Sequence, residues 1–98
     1  MNSKELNIGK NSKGVARLWI EGAFIENAGF KAGERAHIEM VGNSMVITAS
    51  ATGKKKISGK PGRPILDMTG KTVTQLGQAG DRVQITVTQP GTLLINKL

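Results

Sequence analysis

The chain has 98 residues, of which 14 are Lys or Arg and seven are Asp or Glu, so its formal net charge is +7. This length suits one domain with a modest core. No Cys and a single His exclude disulfides, thiolate metal sites and cysteine nucleophiles, and leave little for a His-based metal or catalytic site. No apolar run could span a bilayer and the first residues lack a signal-peptide pattern, so we expect a cytoplasmic protein with no membrane partner. The positive charge favours a polyanionic partner.

The positive charge is concentrated in one segment between two apolar-patterned segments. Residues 51–64 contain five cations and no acid, which makes their net charge +5. These cations are Lys54, Lys55, Lys56, Lys60 and Arg63. The Gly, Ser and Pro content of this segment is typical of a linker. We therefore divide the chain into a basic N-terminal tail (1–14), a first repeat (15–50), a basic linker (51–64) and a second repeat (65–98).

The two repeats align with one another after a single deletion opposite Phe30. The identical pairs are Leu18/Leu66, Gly22/Gly70, Gly29/Gly77, Ala32/Ala79, Gly33/Gly80, Arg35/Arg82 and Ile38/Ile85. Chemically similar pairs are Glu34/Asp81, Ile25/Val73 and Ile47/Leu94. Self-similarity at this spacing indicates an internal duplication.

The first repeat predicts a strand, a short helix and a hairpin, in that order. Residues 15–20 have strand composition, and Gly22 allows a bend into a helical turn at 24–28. Gly29 follows where a left-handed C-cap is expected. Period-two alternation then places Ala36, Ile38 and Met40 inward and His37 and Glu39 outward. The hairpin turns at Gly42-Asn43 and returns along residues 45–49.

The second repeat predicts the same elements. Gly70 precedes a helical turn around Val73 and Leu76, and Gly77 takes the C-cap position. Val83, Ile85 and Val87 alternate inward, and the hairpin turns at Pro90-Gly91 before a strand at 92–95. Because one half has too few apolar residues for a core of its own, we expect both halves to share one. The predicted fold is mainly β with short helices.

One string in the first repeat resembles a known family. The run from Arg17 to Arg35, and above all Ala28-Gly29-Phe30-Lys31-Ala32-Gly33-Glu34-Arg35, is similar to the SymE-like branch of the AbrB/SpoVT/MazE superfamily. The resemblance implies a swapped-hairpin barrel built from two β-α-β-β repeats, here in one chain, as a monomeric pseudo-dimer or a homodimer. AbrB-type members are DNA-binding regulators or antitoxins, and SymE-like members are toxins associated with RNA. The second repeat departs from the pattern, with Asp67 where the first has Trp19.

The cations of residues 51–64 are the strongest candidates for nucleic-acid contacts, since they could neutralise phosphates; the alternative is a linker kept soluble by charge. Within them, the run Gly59-Lys60-Pro61-Gly62-Arg63-Pro64 resembles a relaxed AT-hook, which would insert Arg63 into a minor groove, or is simply a basic Pro/Gly linker.

The repeated arginines form a second candidate site. Arg35 and Arg82 occupy equivalent positions and could contact DNA as a symmetric pair, or form ion pairs with Glu34 or Asp81 or with a residue of an adjacent strand. Arg17, Lys31 and Lys71 are supporting phosphate-contact candidates.

Catalysis is not indicated by the remaining polar residues. His37 is expected at the surface, and the acids are too scattered to bind a catalytic metal, so we expect no enzyme, no metal site and no cofactor. The three aromatics, Trp19, Phe24 and Phe30, are expected in the core, which disfavours recognition of single strands by stacking.

We expect a small double-stranded DNA-binding protein that acts as a transcriptional regulator or as an antitoxin-like maintenance factor of a mobile element. Two alternatives remain open at this point. One is a phage or plasmid inhibitor that binds a host nucleoprotein complex, and the other is a SymE-like toxin acting on RNA. The expected partner is thus duplex DNA, with RNA or a host protein complex as the alternatives.

Overall fold

Residues 2–98, which the computed structural model describes, form ten strands and two short helices, so the protein is mainly β as expected. The first half contains β1 (Ser3–Asn7), β2 (Gly9–Lys10), β3 (Ala16–Glu21), α1 (Ala23–Asn27), β4 (Arg35–Val41) and β5 (Ser44–Ala49). The second half contains β6 (Lys55–Lys56), β7 (Ser58–Lys60), β8 (Arg63–Thr69), α2 (Lys71–Thr74), β9 (Arg82–Gln89) and β10 (Thr92–Lys97).

The strands form two sheets that enclose one core. One sheet has six strands in the order β1-β9-β10-β5-β4-β6, and the other has four in the order β2-β3-β8-β7. All pairings are antiparallel. Within residues 2–98 the two sheets do not join into a closed barrel, which corrects the barrel that the family resemblance implied.

The two halves exchange strands about a pseudo-two-fold axis. β1 of the first half pairs with β9 of the second, and β6 of the second half pairs with β4 of the first. The halves also meet where β3 pairs with β8 and where β5 pairs with β10. Each half thus supplies an edge strand to its counterpart's hairpin.

The hairpin turns lie where the sequence predicts them. Gly42-Asn43 joins β4 to β5 and Pro90-Gly91 joins β9 to β10. Gly42 has a φ of 62° and Gly91 a φ of 80°, a backbone conformation that glycine adopts without steric cost. The inward residues Ala36, Val83 and Ile85 are fully buried, as alternation predicts.

The core reaches into both segments that were expected to lie outside the repeats. Ile8, from the predicted tail, is 1% exposed, and Ile57, from the predicted linker, is 0% exposed. The Ile57 N–H donates to the Glu34 carbonyl at 2.8 Å, and Ile8 makes the equivalent bond to Asp81 at 2.8 Å. The tail and linker predictions are therefore wrong: residues 3–10 and 55–60 contain strands that complete the two sheets.

The repeat alignment holds through β9 and then shifts by one residue. A β-bulge between Thr92 and Leu93 absorbs the extra residue of β9. The buried positions of β10 are consequently Leu93 and Ile95, while Leu94 is only half-buried. In the structure, Ile47 therefore corresponds to Ile95. The sequence alignment pairs it with Leu94.

Two further expectations are corrected by the structure. Gly29 has the expected left-handed conformation, with a φ of 102°, but Gly77 does not have a positive φ. The second repeat has its one-residue deletion next to this position, opposite Phe30. Trp19 is not in the core: it is 38% exposed on the outer face of the four-stranded sheet. Phe30 is fully buried, and Phe24 packs against the core while partly exposed.

Candidate nucleic-acid interface

The cations of residues 51–64 are held on strands. Lys55 and Lys56 form β6, Lys60 ends β7, and Arg63 begins β8 directly opposite Lys60. Pro61-Gly62 is the turn between β7 and β8, in which Gly62 has a φ of 85°. This run is therefore a tight hairpin and not the extended segment that an AT-hook needs, which corrects that interpretation.

Three cations lie together where β4 begins. Arg35 is directly opposite Lys56 in the register of β4 and β6. A guanidinium nitrogen of Arg35 donates to the Lys54 carbonyl at 3.4 Å and lies 3.5 Å from the Gly53 carbonyl. All three side chains are exposed, and none forms an ion pair within residues 2–98. We call Arg35, Lys54 and Lys56 the basic edge.

The equivalent position in the other half is electrostatically different. Arg82 begins β9 as Arg35 begins β4, but its guanidinium donates to Glu5 at 2.7 Å and to Asn7 at 3.2 Å. The pairing of β1 with β9 places Glu5 opposite Gln84. In the other half, Lys54 of the basic edge occupies the position equivalent to Glu5. Arg35 and Arg82 are equivalent in position, but only Arg35 lacks a carboxylate partner among the described residues.

Three of the other predicted cations, Lys31, Arg63 and Arg17, form ion pairs with acids. Lys31 lies 3.0 Å from Glu26, and Arg63 lies 3.8 Å from Glu21. Lys60 is exposed and forms no ion pair in the described part of the chain.

Arg17 is the third of these paired cations. It donates hydrogen bonds to both carboxylate oxygens of Asp67, at 2.8 Å and 3.1 Å. Its guanidinium lies 4.3 Å from the centre of the Trp19 ring. The hydrogen bond to Asp67 raises the pKa of Arg17. Asp67 and Trp19 are opposed in the pairing of β3 with β8, so the departure of the second repeat from the first supplies the partner of Arg17.

Beside the basic edge, a groove separates β4 from α2. Its volume is about 510 Å³. We call it the β4 groove; it is lined by His37, Ile38, Glu39, Met40, Met45, Lys54, Lys55, Lys71, Thr72 and Gln75. The structure thus brings Lys71 together with Lys54 and Lys55, from which it is distant in sequence. Lys55 donates its ammonium hydrogen bond to the backbone carbonyl of Asp67, so its charge is not neutralised by a carboxylate.

Sequence reasoning missed the difference between the two halves. The sequence does contain a short similarity upstream of the two repeats. Ile8-Gly9-Lys10 and Ile57-Ser58-Gly59-Lys60 both contain an Ile followed closely by Gly-Lys. Extending the repeat upstream through these residues places Glu5 against Lys54. This longer alignment would have predicted that Arg82 has an acid nearby, whereas Arg35 has a lysine in the equivalent place.

Comparison with models of protein families, with curated proteins and with solved structures found no match to this chain. No cluster of three or more potential metal ligands occurs in residues 2–98. Over the same residues, neither helix is long and apolar enough to cross a membrane.

Proposed function

We propose that the protein binds double-stranded DNA through the basic edge and acts as a small DNA-binding regulator. The observation that supports this most is the contrast between Arg35, which lies beside Lys54 and Lys56, and Arg82, which is paired with Glu5. Cations without carboxylate partners are free to exchange their counterions for phosphates, and this exchange drives association with DNA.

The spacing of the basic edge suits a sugar-phosphate backbone. Directly opposed residues of antiparallel strands have Cβ atoms about 4.5–5.5 Å apart. From this base, the long side chains of Arg35 and Lys56 can reach neighbouring phosphates of one DNA strand. The planar guanidinium of Arg35 can bind a phosphate through two N–H groups, while Lys54 and Lys56 act as point charges.

A duplex is favoured over a single strand because the basic edge contains no aromatic side chain. Proteins that bind single strands stack bases on aromatic rings. The exposed aromatic Trp19 lies on the other sheet, with the Arg17 guanidinium over its ring. The regulatory role and the AbrB-like relationship belong to this proposal, and the exchange of strands between the two repeats supports them.

Fluorescence anisotropy with labelled duplex DNA, duplex RNA and single-stranded RNA tests the proposal. One phosphate contact at 0.15 M salt corresponds to about fivefold in affinity, so Arg35→Ala should weaken duplex DNA binding by about this factor. Arg82→Ala removes the same net charge and should change the affinity less than about twofold. Equal losses in both variants would contradict the proposal. Tighter binding or cleavage of single-stranded RNA would favour the toxin alternative instead.

A further inference from the structure

Among the described residues, no strand lies beside one edge of β4 over most of its length. β6 pairs with β4 only at Arg35 and Ala36. In the other half, β1 pairs with β9 over five residues, from Asn7↔Arg82 to Ser3↔Thr86. The chain reaches β6 from β5 through a tight turn at residues 50–53, where the Gly53 N–H donates to the Ser50 carbonyl at 3.1 Å. This turn keeps β6 short and leaves the rest of the β4 edge open.

The open edge presents unpaired backbone groups. The Arg35 carbonyl accepts a hydrogen bond from the Ser50 N–H, at 3.0 Å, on the β5 side of β4. Backbone groups alternate in direction along an antiparallel strand. Ile38 and Met40 therefore direct their N–H and C=O groups to the open side. These four groups are the hydrogen-bonding positions of a strand that the described chain does not supply.

The other half shows how such a strand sits. Val87, which corresponds to Met40, donates its N–H to the Asn2 carbonyl at 2.9 Å. Ile85, which corresponds to Ile38, is paired with Lys4. The Lys4 ammonium lies 6.0 Å from the centre of the Phe24 ring of α1. The side chain of the residue opposite Ile85, Lys4, is thus directed towards α1.

The β4 groove differs in chemistry from the equivalent place in the other half, where β1 covers the edge of β9 and Lys4 lies over Phe24. By the alignment of Gly22 with Gly70, Thr72 takes the place of Phe24, and its neighbour is Lys71. Three lysines, Lys54, Lys55 and Lys71, line the groove, against the single carboxylate of Glu39. Ile38 and Met40, which are partly exposed, add apolar surface. A carboxylate opposite Ile38 would be directed towards α2 and Lys71.

We propose that the β4 groove binds an extended acidic segment of a partner protein, which adds to the edge of β4 as an antiparallel strand. Main-chain hydrogen bonds to Ile38 and Met40 provide affinity, and alternate side chains meet the lysines and the apolar surface, as in other cases of strand addition. This inference goes beyond DNA binding: Arg35 and Lys56 of the basic edge do not line the groove, and only Lys54 belongs to both. Lysines at a sheet edge can also serve to prevent strand addition, and the experiment separates the two roles.

Two capped peptides serve as probes in an NMR titration of the full chain. One has the sequence of residues 1–5, which ends before the positions that β6 occupies when its Lys4 lies opposite Ile38, and the other carries Lys4→Glu. The Lys4→Glu peptide should shift the amide resonances of Ile38 and Met40, slow their hydrogen exchange, and bind about fivefold tighter than the unchanged peptide. Before peptide is added, the Ile38 and Met40 amides should exchange faster than those of Ile85 and Val87.

Two variants separate strand addition from general attraction of an acidic peptide. Met40→Pro removes an N–H at the open edge, where proline is tolerated, and should abolish the shift of the Ile38 amide while leaving duplex DNA binding unchanged. Lys71→Glu should remove the preference for the Lys4→Glu peptide. The inference is overturned if the Ile38 and Met40 amides do not respond at millimolar peptide, or if Lys71→Glu leaves the preference intact. Shifts confined to residues outside the groove would likewise overturn it.

Discussion

Replacing Ile57 with Ala tests whether residues 51–64 are part of the folded domain. The Ile57 side chain is fully buried, and its N–H and C=O bond to Glu34 and Gly33, both at 2.8 Å. Truncating a buried Ile to Ala costs about 2–5 kcal/mol, because apolar contacts are lost and a cavity is left. For a domain of this size, each 1 kcal/mol lowers the Tm by about 4–8 °C. We therefore expect Ile57→Ala to lower the Tm by at least about 8 °C.

Urea denaturation followed by circular dichroism measures the loss of unfolding free energy. Ile8→Ala, at the equivalent position, should cost a similar amount. Ser58→Ala, on the exposed neighbour of Ile57, is the matched control and should stay within about 0.5 kcal/mol. A loss below about 1 kcal/mol for Ile57→Ala, with an unchanged m-value, would refute the reasoning and restore the linker interpretation.

Four further substitutions test the fold. Ile85→Ala should lower the free energy of unfolding by about 2–5 kcal/mol in urea denaturation, and Ile38→Ala by less than about 2 kcal/mol because Ile38 is only half-buried. Equal losses in the two variants would contradict this difference in burial. Gly53→Ala should cost about 1–3 kcal/mol, since a Cβ there would lie 2.2 Å from a carbonyl oxygen of β4, and a neutral effect would contradict the packing of the turn. The Gln78 N–H lowers the pKa of Asp81 below its ordinary 3.8, so this stabilisation is present above pH 3.8 and is lost as the pH falls through the lowered pKa. The stability gap between the protein and Asp81→Asn should narrow on acidification, and a constant gap would contradict it.

Local patterns predicted most of the repeat structure. The turns at Gly42-Asn43 and Pro90-Gly91 and the alternation in β4 and β9 depend on residues close in sequence, so they could be read directly. The strands β1, β2, β6 and β7 could not. They are only two to five residues long and mostly polar, and two of them, β1 and β6, pair with the opposite half of the chain. A single apolar residue in each segment, Ile8 or Ile57, gave too little periodicity to indicate burial.

The candidate site was predicted in composition but not in arrangement. The lysines of 54–56 and Arg35 were identified from charge and repetition, and they do lie together. Their difference from Arg17 and Arg82 depends on ion pairs with acids 50 and 77 residues away along the chain. Such pairings follow from the exchange of strands, which no local pattern predicts.

The salt dependence of duplex DNA binding tests the central proposal most directly. In a variant with Arg35, Lys54 and Lys56 all changed to Gln, the slope of log K against log salt should fall by about 2.7, since each phosphate contact contributes about 0.9. The matched control changes Lys4, Lys10 and Lys13 to Gln, which removes the same charge from exposed lysines of the N-terminal segment. The account predicts a slope within about 0.9 of the unmodified protein for this control. Equal reductions in both variants would contradict binding at the basic edge and show a non-specific effect of net charge.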